Sequence, residues 1–275
     1  MKENKMLIPI DTITLEDKQD LQRAKEILEN PGFAIKAANY IGKPIEMGLE
    51  KIDSKVINDA TSKALNKSLD IAISTLDTTT LTSSFSNLKH KIMVGGSGAV
   101  GGFFGIAALA IELPISTTIM LRSIADIAKS QEHDLDDFQT QLACLEVFSL
   151  GSTKNRDDDA GESVYFASRS VLAYEMKLAV DSVANMSQKA IQEALARGQM
   201  PILVKLVNNI AARFGITVSE KLVAQVIPVV GAAGGAAINL MFINHFQDMA
   251  EGHFIVKRLE KRYGYEAIKQ LYQEI

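Results

Sequence analysis

The chain has 275 residues, of which 47% are hydrophobic and 23% charged, and 33 acidic groups against 29 basic ones leave a net charge of −4. That length closes a real hydrophobic core, and without a basic excess the chain lacks the electrostatic footprint of a nucleic-acid binder. A lone cysteine, Cys144, excludes an internal disulfide. Trp is absent and aromatic residues are only 6%, so Leu, Ile, Val, Ala and Met must fill the interior, as in helix-on-helix packing. Mean hydropathy of +0.08 is high for a soluble chain and low for one with several membrane spans.

In chain order, Met1–Lys5 leads into a short apolar patch, Met6–Ile10, broken by Pro9, which is no signal peptide; a cytoplasmic-side protein is the expectation. Thr14 and Asp17 form a capping arrangement, and Leu21, Ala24 and Leu28 recur at helical spacing until Asn30-Pro31-Gly32. After Pro44, Ile45, Leu49, Ile52 and Val56 predict a second amphipathic helix reaching about Leu76, followed by a Thr/Ser-rich linker over 77–87. Residues 1–85 thus read as amphipathic helices preceding a helical domain over 86–275, the two forming one continuous fold.

Two stretches carry no charged residue. The first is Ile92–Ile111, between Lys91 and Glu112; the second is Leu222–Asn244, between Lys221 and His245. Length alone permits either to cross a bilayer. Six glycines in the first, and Pro228, Gln225, Asn239 and Asn244 in the second, make both sums marginal. Gly98 and Gly102, Gly101 and Gly105, and Gly231 and Gly235 are each four apart, so each pair presents a smooth helix face for a close neighbour. A buried central hairpin, a membrane-inserted hairpin and a surface that alternates between the two all satisfy that pattern.

Elsewhere, Leu135, Phe138, Leu142, Leu145 and Phe148 make a helical stripe ending at Gly151. Cys144 on that stripe reads as an inert core thiol. A charged loop at 154–159 follows, then one long helix from Val164 to about Ala196, a short one from Ile202 to Phe214 closed by Gly215, and a charged amphipathic tail over 246–275. Nothing alternates with period two, so the fold class is all-α: a single multi-helix bundle around two glycine-rich apolar helices.

Several blocks together resemble the EcsC family over roughly residues 90–265. They are Glu112–Thr118, Met120–Ala128, Ala143–Phe148, Tyr165–Arg169, Arg213–Gly215, Ser219–Lys221, Val226–Ala232, Ala237–Asn239, His245–Ala250, Gly252–Phe254 and Arg258–Glu260. The resemblance implies a place beside an ABC transporter or in envelope processes, and it implies no particular activity.

Among ionisable residues, Glu112, Arg122 and Asp126 flank the first apolar stretch, while His245, Asp248 and His253 follow the second. Glu112 reads as a helix boundary beside Pro114, and Arg122 as a partner of Asp126 one turn on. His245 and Asp248 share a face, but His253 is rotated from His245 by roughly 80 degrees, so no metal site is expected there. No phosphate loop, HExxH, CxxC or nucleophile elbow occurs, and no cofactor is expected. The expected function is therefore binding: a cytoplasmic-side protein at the inner membrane, peripheral or integral, whose partner is lipid or a membrane transporter. One rival is a hydrolase-type or metal-dependent enzyme with a site around Glu112, Arg122, Asp126, His245 and Asp248. Another is an oligomeric scaffold in which copies of the chain meet through the glycine faces.

Overall fold

The computed structural model describes residues 12–30, 32–42, 45–49, 52–74, 105–151, 163–226 and 231–275. They form the helices α1 (Leu15–Leu28), α2 (Phe33–Ile41), α3 (Glu46–Leu49), α4 (Ser54–Ser74), α5 (Gly105–Ser130) and α6 (Phe138–Glu146, extended by a 3-10 turn Val147–Ser149). Then come α7 (Val164–Val183), α8 (Gln188–Ala196), α9 (Pro201–Val226), α10 (Gly231–Tyr263) and α11 (Tyr265–Glu274). No strand occurs among the described residues, so the chain is all-α as expected. The linker at 77–87, the segment 92–104 with Gly98, Gly101 and Gly102, the loop at 154–159 and Pro228 lie outside the described residues.

Short polar side chains start these helices. Thr14 accepts from the Asp17 amide at 3.1 Å, and Asp137, Ser163 and Ser187 cap α6, α7 and α8 in the same way. Each supplies an acceptor to an N–H that the helix itself leaves unpaired. Gly264, at φ +91°, turns the chain between α10 and α11 through a backbone region that a side chain would strain.

The four long helices α4, α5, α10 and α9 pack in a ring, each against the next. α6 and its 3-10 turn run through the middle and touch α4, α5, α7, α9 and α10. Every residue from Gln141 to Leu150 is consequently buried. Phe148 is the hub, with Phe214 at 5.0 Å and Phe246 at 5.4 Å between ring centroids. α1 lies outside the ring along α10, held by Asp20 to Arg258 and by Asp17 to Arg262 and to the Tyr263 hydroxyl (2.6 Å).

Several helix limits differ from the sequence expectation. α9 does not close at Gly215 but runs through it, because α4 crosses there: a Cβ at 215 would stand 3.1 Å from Asn58 Oδ1 and 3.4 Å from Ile57 Cγ2. The glycine is a packing residue, not a stop. Leu222–Asn244 is accordingly not one helix; its first residues end α9 and Gly231 onward begins α10. Glu112 is no boundary, since α5 continues through Pro114. The Ser116 and Thr118 hydroxyls donate to the Leu113 and Pro114 carbonyls (3.2 and 2.8 Å), and burial of Leu113, Met120, Leu121 and Ile124 offsets a proline cost of about 3 kcal/mol. The helix expected over 164–196 breaks after Val183, where Ser187 caps a new one, and the helix expected from Ile45 breaks before Ser54.

Candidate functional site

Among the described charged and histidine residues singled out from sequence, no two are joined to each other by a hydrogen bond or ion pair. The Glu112 side chain lies outside the described residues. Arg122 and Asp126 form no ion pair with each other, and Asp126 is exposed on α5, where burial by its surroundings still raises its carboxyl. Asp248 is half-exposed and faces Lys36 of α2, with 3.6 Å between Oδ2 and Nζ. Among the described residues no group of three or more His, Cys, Asp or Glu is placed to share a metal ion.

The two histidines are instead buried, in different surroundings. His245 packs its ring edge on Gly151, which sits at φ +74° and leaves the space a side chain would take. Burial, with the Lys36 charge, pushes this imidazole down to about 3, and the Leu150 carbonyl offsets part of that, so the ring is neutral. Neither of its nitrogens meets hydrogen-bond geometry.

His253 belongs to a polar cluster that sequence reasoning missed. Its Nδ1 is 3.0 Å from the Tyr165 hydroxyl, and its Nε2 is 3.5 Å from Glu146 Oε2. Tyr165 oxygen also accepts from Arg169 Nη1 at 3.2 Å, and Arg169 closes a bidentate pair on Glu260 at 2.6 and 3.0 Å. Burial pushes the Tyr165 hydroxyl well up, so it keeps its proton, and burial with the Lys257 and Arg169 charges keeps His253 neutral. Since the Tyr165 oxygen accepts a hydrogen bond from Arg169, its own O–H is the donor to His253 Nδ1; the ring proton then stands on Nε2, on the side of Glu146.

His253 Nε2 is buried without a hydrogen-bond partner, and the Glu146 carboxylate that it faces is held only by longer contacts. Glu146 is 4% exposed, its nearest cations are Arg169 Nε at 3.9 Å and His253 Nε2 at 3.5 Å, and no side chain among the described residues hydrogen-bonds its carboxylate. Arg213, which donates to the Ser168 carbonyl at 3.2 Å, adds a favourable charge nearby. Glu146 and Arg169 form the floor of a cleft of about 310 Å³ walled by α7, α10 and α11. Every member of this cluster lies in a block that carried the family resemblance. The sequence signal that marks it is one carboxylate, Glu146, inside the otherwise apolar run Leu142–Phe148.

The opposite end of the ring has contrary chemistry. Ser123 of α5 pairs with Gln247 of α10 (2.7 Å) and His133 with the Phe254 carbonyl (3.0 Å), so α5 and α10 run parallel. Gln225 of α9 donates to Asn239 of α10 at 3.1 Å, and Gly48 abuts Val223. The starts of α5 and α10 and the close of α9, where the two uncharged stretches enter the described structure, therefore meet at one end. Ala236, Leu240 and Asn244 form an exposed stripe there, with Leu240 58% exposed and Ile115 37%. Gly231 and Gly105 open their helices, and a Cβ at Gly235 would meet nothing within 4 Å. Among the described residues one helix, Pro201–Gln225, is long and apolar enough to cross a membrane, with a mean hydropathy of 1.3, but half of its most apolar window is buried in the fold.

Residues 18–259 match the model of the EcsC protein family. No curated protein and no solved structure matches the chain.

Proposed function

The chain belongs to the EcsC family, and we propose that it is a binding protein of the cytoplasmic membrane face, docking its uncharged end on lipid. One observation carries the reading: α5, α9 and α10 bring the described parts of both uncharged stretches to a common end, where Leu240 and Ile115 stand exposed with no Asp, Glu, Lys or Arg on α10 before Asp248. Apolar side chains exposed beside the uncharged first half of α10 lose water contact when they enter the headgroup region, which favours surface docking over solvation. The half-buried α9 supports docking rather than spanning, since its apolar residues already serve the core.

Flotation of the purified full chain with phosphatidylethanolamine–phosphatidylglycerol vesicles tests this. Wild type should float, and Leu240→Glu should float roughly tenfold less, as expected for about 1.5 kcal/mol of lost apolar transfer. Failure of wild type to float removes the lipid reading. If it floats only with vesicles that carry a membrane transporter, the uncharged end binds that protein instead.

A further inference from the structure

Beyond that reading, and at the other end of α10, we infer that the cleft over Glu146 and Arg169 binds a small aliphatic acid bearing a hydrogen-bond donor on its α-carbon: an aliphatic α-amino acid or the matching α-hydroxy acid.

Three features select this chemistry. Glu146 is a buried carboxylate with no hydrogen bond from its neighbours, and it faces the cleft. A buried acceptor left in that state calls for an N–H or O–H from a ligand. Arg169 does not supply it: its terminal nitrogens bond Glu260, and its Nε stands 3.9 Å from Glu146 Oε1, beyond hydrogen-bond reach. Lys257, on the cleft wall, has no ion pair among the described residues, unlike Lys177 on the rim, which is bound to Asp181 at 2.7 Å. An ammonium with no ion pair on the wall of the cleft that the Glu146 carboxylate faces fits one ligand that carries an anion and a donor close together. Between them Ala173, Met176 and Val180 line the cleft with apolar surface, which suits a short aliphatic chain. The volume, about 310 Å³, is at the small end of ligand cavities and admits a metabolite rather than a lipid or a helix.

Which donor is preferred follows from the charges around Glu146. Arg169 and Arg213 already offset Glu146 and Glu260, so an ammonium gains less there than it would beside an isolated carboxylate, and a hydroxyl competes with it.

Isothermal titration of the full chain with L-leucine, 2-hydroxy-4-methylpentanoate and 4-methylpentanoate tests the inference. At least one of the first two should bind, whichever head group wins, and 4-methylpentanoate, which lacks the α-donor, should bind about tenfold more weakly or worse. Lys257→Met should weaken the ligand by about tenfold and leave the melting temperature unchanged, while Lys177→Met should leave binding as it is. Glu146→Gln should alter the ranking of amino acid and hydroxy acid; if that variant does not fold, the donor-free ligand and the Lys257 variant still decide. No binding of either donor-bearing acid at about 10 mM, equal binding of 4-methylpentanoate, or an unchanged Lys257→Met overturns the inference. Vesicle flotation is a separate readout, so loss of lipid binding and loss of ligand binding are distinguishable.

Discussion

Gly252 on α10 faces Leu28 on α1, and Gly252→Ala measures how tightly the first helix is seated. An added Cβ would lie 2.6 Å from Leu28 Cγ and 3.0 and 3.1 Å from its two methyls. The atom struck first is the branch point of the leucine, not a terminal methyl. Relief therefore requires a new χ1 or a shift of α1. Leu28 is only 6% exposed, and α1 is tied down by Asp17 and Asp20 to Arg262, Tyr263 and Arg258. Overpacking of a filled core costs about 1–3 kcal/mol. Alanine in place of glycine returns about 1 kcal/mol of helix propensity. Because the contact is at the root of the side chain, the overpacking side wins, and the net loss should be about 1–2 kcal/mol.

Urea unfolding of the full chain followed by far-UV circular dichroism reads this as a lower midpoint at unchanged slope. Leu28→Ala alone should cost about 2–5 kcal/mol as a cavity. In the double variant the methyl at 252 enters the space the leucine vacates, so the pair should be less destabilised than the sum by about 1–2 kcal/mol. A Gly252→Ala protein more stable than wild type, with strictly additive loss in the double variant, would refute the packing of α1 on α10 described above.

The buried imidazoles set the acid limb of stability. His245, pushed down to about 3, and His253, pushed down by burial, are neutral when folded but take up protons near 6.5 when unfolded. The unfolded chain thus binds more protons below pH 6.5, and each imidazole should remove up to about 1.4 kcal/mol per pH unit as pH falls below 6.5, for His245 down to about 3. Asp17, held below its ordinary value because Tyr263, Thr14 and Arg262 outweigh its burial, contributes stability that is present above about pH 3.8 and is lost as pH falls below it. Chemical denaturation at pH 7, 6 and 5 checks the order; a flat profile down to pH 5 contradicts it. Arg169→Met leaves Glu260 and Glu146 buried without their shared cation and should cost about 3–5 kcal/mol, read as a fall in urea midpoint. Cys144, whose thiol burial pushes up to about 12, should resist iodoacetamide in the native protein and react fully in urea, as intact-mass spectrometry would report.

How much of this was legible in the sequence depends on how far apart the partners lie. The cap at Thr14 and the stripe Leu21, Ala24 and Leu28 span a few residues, and the structure places the cap bond and the three buried side chains there. The cluster around Glu146 was not legible, since Tyr165 and His253 are 88 residues apart and Arg169 and Glu260 are 91 apart. Periodicity cannot pair residues across such distances. Nor could spacing find the other glycines at which helices approach closely: Gly48 on Val223, Gly151 on His245, Gly215 on α4 and Gly252 on Leu28. Each is explained by what crosses it in space. Likewise Gly215 and Pro114 are breakers by local propensity, but burial along α9 and α5 outweighs a cost of a few kcal/mol.

α10 joins the two regions on which the functional proposals rest. From Gly231 to Gln247 it has no Asp, Glu, Lys or Arg, whereas Asp248, Glu251, Lys257, Arg258, Glu260, Lys261 and Arg262 follow in its second half. One helix therefore places an uncharged first half and a charged, ligand-sized cleft at its two ends. Leu240 and Lys257 are 17 positions apart, roughly 25 Å along the axis at 1.5 Å per residue. Sites separated by more than about 10 Å with no shared partners act additively. Leu240→Glu should then reduce vesicle flotation without changing the affinity of the cleft for its acid, and Lys257→Met should do the reverse. A reciprocal effect of equal size in both assays would mean that α10 transmits a change between its ends, and that the two sites are one linked device rather than two independent ones.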